Sequence, residues 1–371
     1  MLKPDHESAI IWARRAIEVA EQTDTRAALV HAYNNLGSSL LGVGDPTGFE
    51  WLQRSLGLAI ESNLVDDASR AYANMAGDRV MRLPYPESEA FLEEAIAFAE
   101  RNAPDGWFWR YHRAVQADFW IISGRWDEAH ARLEDLSAVV RPIPYHNVQV
   151  SQARSKLASH RGGHDTAAAI ARPVMVIAMQ VGDFQAIGPM TMALAHAEAG
   201  LGAADRAAIA VHETVRRAVD AGDPSDVAWA LFEAADVLTT VMAYESDVAA
   251  RAVMGLRHLA AAAADVLSIG GTPAEVAGRR ALLSASLAQL ASLSRRLGSP
   301  APAIRDGALP LERAGAAEQL ETAHRPFDVA RVRLWLAEDT DDLIQAATAA
   351  AVFDRLRAAP FARRARAVAT R

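Results

Sequence analysis

A chain of 371 residues with 51% hydrophobic side chains can bury a large core, which sets intrinsic disorder aside. Its formal net charge of −8 gives no general attraction to nucleic acid or to an anionic membrane. Having no cysteine, it can form neither disulfides nor zinc–thiolate sites and has no thiolate nucleophile.

From the N-terminus, Lys3, Asp5, Glu7, Arg14, Arg15 and Glu18 interrupt the apolar residues too often for a signal peptide. No uninterrupted apolar stretch approaches the ~20 residues of a membrane span, so a soluble, cytoplasmic chain is expected. The first clear amphipathic segment is Ala28 to Leu41, with Tyr33, Leu36, Leu40 and Leu41 on one face. Turn signals then recur at Gly44-Asp45, Leu83-Pro84, Gly124-Arg125, Gly163-His164 and Gly202-Ala203. Their interval of about 40 residues lies within the range of helical repeats. A second set falls between them: Asn63, Asn102 to Asp105, Arg141 to Pro144, Gly182-Asp183 and Gly222 to Pro224. Two turns per period predict two helices per repeat. Ser88 to Ala99 shows one such helix, with Phe91, Leu92, Ala95, Ile96 and Ala99 in register.

No segment keeps the alternation of a strand. A lone helix pair cannot hide both apolar faces, so the pairs must stack. The expected fold is all-α: a right-handed α-solenoid of antiparallel helix pairs. Residues 1–245 are expected to form the repeats with a period near 40, and 246–371 irregular helical repeats that continue or cap them. In this second part a helix is expected from Asp247 to about Leu267, then a Gly270-Gly271-Thr272-Pro273 break and a helix to Leu297. Gly298-Ser299-Pro300 and His324-Arg325-Pro326 separate later helices, and the last begin at Leu343 after the acidic stretch Glu338 to Asp342. Arg355 to Arg371 holds six arginines and no acid, either a solvated helix face or a link towards a nucleic-acid-binding element.

Ala32-Tyr33-Asn34-Asn35-Leu36-Gly37 and Ala71-Tyr72-Ala73-Asn74-Met75-Ala76 share a phrase, and a third repeat carries Gly124-Arg125-Trp126-Asp127-Glu128-Ala129. These resemble the two halves of the tetratricopeptide (TPR) signature, although the period is longer and the signature fades after the third repeat. Gly37, Ala76 and Ala117 would let helices approach closely. Gly124 would take the left-handed turn, Asp127 would cap the next helix, and Ala129 would pack back into the pair. The chain also resembles the helical region of large actinobacterial LuxR-type, maltose-regulator-like ATP-binding regulators. Trp12 to Ala20 with His31 to Gly37 looks like the start of that region; Arg325 to Ala330 with Phe353 to Leu356 looks like its close. The sequence contains no Gly-x-x-x-x-Gly-Lys-Ser/Thr loop, and its end shows no recognition-helix module. The expectation is therefore an excised or orphan middle part of such a regulator, which the resemblance implies receives an inducer or a partner protein.

By the TPR resemblance, Asn35 and Asn74 would line the concave groove and bond the backbone of an extended peptide, with Tyr33 and Tyr72 of the same phrases as further contacts to the partner. Contact with the neighbouring repeat is the alternative. Trp107 to His112 is dense in rings, with Phe119 and Trp120 downstream. These could be core, or Trp109, His112, Arg113 and Phe119 could border a ligand pocket. The eleven histidines show no metal-ligand spacing, and no Gly-x-Ser-x-Gly elbow occurs. The reading is a scaffold or sensor with no catalytic residue, no cofactor and no metal, binding a protein, a peptide or a small-molecule inducer in its groove. It would touch neither membrane nor, by itself, nucleic acid; uncapped end helices leave self-association open. The competing reading is a small-molecule-binding protein or enzyme built on an aromatic cavity.

Overall fold

The computed structural model describes residues 5–76, 86–138, 144–262, 273–298 and 309–370. Those residues form eighteen helices and no strand, as the sequence pattern requires. Several expected breaks lie outside the described residues: Leu83-Pro84, 141–143, 270–272 and Ser299-Pro300, together with 263–267 of the helix expected to Leu267. The chain divides into two compact units, one of residues 2–119 with 269–276 and one of residues 120–268 with 277–371.

The N-terminal unit holds α1 (His6–Gln22), α2 (Arg26–Gly42), α3 (Gly48–Glu61), α4 (Val65–Ala76), α5 (Pro86–Asn102) and all but the last turn of α6 (Trp107–Ile122). From α1 to α5 successive helices pack on one another, and α2 also touches α4, the next-but-one contact that defines stacked pairs. Ala13 and Ile17 of α1 meet Ala32, Leu36 and Leu40 of α2. Val30, Ala59 and Ala68 join α2, α3 and α4. Gly37 is required where two backbones nearly touch: a Cβ there would lie 2.6 Å from the Gly48 carbonyl oxygen. The hydroxyl of the buried Ser55 donates to the Val30 carbonyl 2.9 Å away, satisfying a polar group inside this contact.

The second unit holds α7 (Trp126–Ser137), α8 (Pro144–His160), α9 (His164–Val181), α10 (Phe184–Gly200), α11 (Ala204–Ala221), α12 (Pro224–Tyr244) and α13 (Ser246–Ala262). It continues with α14 (Pro273–Arg296) from Ala277 on, α15 (Leu309–Thr322), α16 (Pro326–Thr340), α17 (Leu343–Arg355) and α18 (Ala359–Ala369). Here too α8 packs on α10, α10 on α12 and α11 on α13. Gly124 takes φ +82 between α6 and α7, and Ala129 is fully buried, both as the signature implies. Asp127 does not cap α7: no side chain caps that end, and Asp127 instead bonds Arg161 at 2.6 Å. Trp126 serves the turn, its Nε1 donating to the Ile121 carbonyl at 2.9 Å. Among the described residues only α12 is long and apolar enough to cross a membrane, and most of it is buried in the core instead. Three of the C-terminal arginines form ion pairs: Arg357 with Asp127, Arg364 with Glu338 and Arg366 with Asp354.

Candidate functional site

The N-terminal unit presents a groove of about 380 Å³ across α3, α4 and α5. Its floor follows from helical periodicity. Phe49, Gln53, Leu56, Gly57 and Ile60 fall at i, i+4, i+7, i+8 and i+11, one face of α3. From α4 come Tyr72 and Met75, and from α5 Phe91 and Glu94, each pair three residues apart on one face. Gly57 leaves the floor open, since a Cβ built there would meet nothing within 4 Å.

Tyr72 joins the walls. It is buried, its ring lies 5.5 Å from Phe91 and from Phe98, and its hydroxyl donates to Glu94 Oε1 at 2.7 Å. Burial, with the Glu94 hydrogen bond and charge behind it, pushes the Tyr72 pKa up, so the phenol stays a neutral donor. His112 packs edge-on to Tyr72 at 6.4 Å and is fully buried. Burial lowers it to about 4, partly offset by the Ser69 backbone, so it is neutral at pH 7.

Of the residues singled out in the sequence, Tyr72 lines this groove and His112 lies behind it. Asn74 donates to Asn34 Oδ1 at 2.6 Å, tying α4 to α2, whereas Asn35 is exposed. Tyr33 packs on Trp51 at 5.3 Å, on neither wall. The Arg113 guanidinium sits over Trp109 at 4.3 Å, and Phe119 is core. The other lining residues, Gly57 and Glu94 among them, are not candidates by the sequence pattern. The face of α3 was legible from its spacing, but that Glu94 would meet Tyr72 depends on how α5 packs against α4.

A second polar cluster lies buried in the other unit. Arg331 of α16 donates to both oxygens of Glu233, at 2.8 and 3.1 Å, and pairs with Asp328. His196 Nε2 lies 2.9 Å from Glu233 Oε2. Burial would raise Glu233, but Arg331 and His196 outweigh it and hold the carboxyl well below its ordinary range. His160 stacks against Trp126 and Phe327, and burial, reinforced by His196, keeps it neutral. The ligand atoms of His160, His196 and Glu233 all lie within 4.8 Å of one another, the spacing of a metal site. Both Glu233 oxygens already accept from Arg331, however, and a cation would have to displace that guanidinium. The arrangement is better suited to joining α8, α10, α12 and α16 than to holding an ion.

No protein-family model matches the sequence, and no curated protein matches it significantly. Solved structures do align. A Rap protein complexed with competence and sporulation factor is 12% identical, covering 92% of this chain and 98% of its own, with a TM-score of 0.50. A signal-transduction ATPase with a TPR sensor from Pyrococcus horikoshii is 16% identical over 98% of this chain and 52% of its own, with a TM-score of 0.39. The human IFIT1 dimer with PPP-AAAA is 12% identical over 97% and 79%, with a TM-score of 0.41. The last two align loosely; the first shares the fold. The chain is a TPR-like helical repeat solenoid.

Proposed function

We propose that this chain is a binding scaffold whose N-terminal groove receives an extended segment of a protein partner or a peptide. The observation that carries this reading is the groove itself. It is lined by aromatic and apolar side chains, left open at Gly57, and carries one carboxylate fixed by Tyr72. The Rap protein of similar fold is described in complex with the competence and sporulation factor, and the TPR resemblance points the same way. The sequence resemblance to LuxR-type regulators supports a role in transcriptional control, as the part that senses a partner or inducer rather than the part that touches DNA. Asn34 and Asn74 serve the scaffold by joining adjacent repeats. Asn35 and Tyr33, on α2, remain candidates for contact with the partner beyond the groove.

Gly57→Trp tests this reading without cutting into the core, because Gly57 lines the groove and a side chain there meets no other atom at its Cβ. Peptides of 12 random residues, displayed on phage, are selected against the full chain, and the enriched ones are titrated by fluorescence polarisation. Loss of binding to Gly57→Trp, with an unchanged helical circular dichroism spectrum, supports the groove. Peptides that bind the variant as well as the parent would end the proposal. A small-molecule inducer is the second reading, favoured by the modest volume. It would appear as a retained metabolite in native mass spectrometry that Gly57→Trp expels.

A further inference from the structure

The groove's chemistry names its occupant more narrowly, provided the reading above holds. We infer that the site takes a cationic peptide segment: an arginine or lysine held at Glu94, flanked by apolar residues lying on Phe49, Tyr72 and Phe91.

Four observations lead there. Of the described side chains that line the groove, only Glu94 is acidic or basic. Its Oε1 already accepts the Tyr72 hydroxyl, which fixes the carboxylate while its second oxygen accepts from no described residue. A basic group from outside supplies the missing donor and charge together, and charge-assisted hydrogen bonds are the stronger kind. An acidic group would face the same carboxylate with repulsion.

The wider field has the same sign. Residues 2–119 contain 18 acidic and 11 basic side chains, whereas 120–371 contain 28 and 27. With Glu275 of the 269–276 segment added, the unit that carries the groove accounts for the whole of the chain's net charge of −8. Such a field draws in a cationic partner and holds off nucleic acid and acidic peptides.

Aromatic walls suit a guanidinium, because the ring face is electron-rich and attracts a cation within about 6 Å. Among the described residues this unit already uses that contact three times, with Arg15 over Trp12 at 5.8 Å, Arg54 over Trp51 at 4.6 Å and Arg113 over Trp109 at 4.3 Å. Finally, about 380 Å³ lies near the lower end of ligand pockets, room for one long side chain and its neighbours rather than for a large cofactor.

The peptide selection on the full chain decides the point when read for charge. Enriched peptides should carry an arginine or lysine between apolar residues, and their affinity should fall as salt rises. Glu94→Gln keeps an acceptor for Tyr72 and removes only the charge, so it should weaken these peptides about three- to tenfold. The same peptides with the basic residue changed to methionine should not distinguish Glu94→Gln from the parent. Neutral or acidic peptides that still depend on Gly57 would overturn the cationic inference and leave the groove standing. Binding indifferent to Gly57, or no enrichment at all, would overturn both.

Discussion

Two glycines on neighbouring helices should answer the same substitution with opposite signs. At Gly37 a new Cβ would lie 2.6 Å from the Gly48 carbonyl oxygen and 3.0 Å from the Leu52 backbone nitrogen. Backbone atoms cannot swing aside as a flexible side chain can, so α2 and α3 must separate. Overpacking of this kind costs about 1–3 kcal/mol, and contact with two backbone atoms places Gly37→Ala at the upper end. Alanine returns about 1 kcal/mol through its better helix propensity, for a net loss of about 2 kcal/mol. At Gly57 the Cβ meets nothing, so only the propensity gain remains, about 1 kcal/mol of added stability. The two variants should thus differ by roughly 3 kcal/mol, which separates their thermal midpoints by several degrees. Circular dichroism melting of parent, Gly37→Ala and Gly57→Ala measures this directly. Midpoints that move together, or a stabilised Gly37→Ala, would refute the claim that the small residue of the repeat phrase marks a backbone contact.

His112 makes the N-terminal unit acid-sensitive. Its folded pKa is depressed to about 4, so the unfolded chain takes up the proton first; its contribution is complete above about pH 6.5 and is lost as pH falls towards 4. His112→Phe should flatten the melting midpoint over that window, and an unchanged pH slope would count against it. Arg331→Met leaves Glu233, Asp236 and Asp328 buried without their shared cation, and should cost about 3–5 kcal/mol in urea denaturation. Arg366→Ala breaks an ion pair whose side chains are 52% and 54% exposed, and should cost under about 0.5 kcal/mol in the same assay. Equal effects from these two arginines would mean that burial does not set their worth.

Much of the fold is written locally. Helix faces, turn glycines and small contact residues depend on neighbours a few positions away, so Gly37, Gly124, Ala129 and the two-turn period could be read from spacing alone. Even there, position along a helix limits the reading. One residue rotates a side chain by about 100°, and this separates the inward Asn34, which bonds Asn74, from the outward Asn35 that the phrase aligns with it. The capping role expected of Asp127 failed for a related reason: Arg161, a repeat away, offered it a partner that the local sequence does not show.

The sequence by itself determined that this chain is helical, paired and repeated, because periodicity is a property of each segment. Only the tertiary structure decided what the helices jointly enclose. Glu94 of α5 meets Tyr72 of the preceding helix and joins two walls of the groove, and Arg331 reaches Glu233 across 98 residues, because whole helices packed side by side. Those meetings depend on the rotation and crossing of whole helices, which no local pattern encodes.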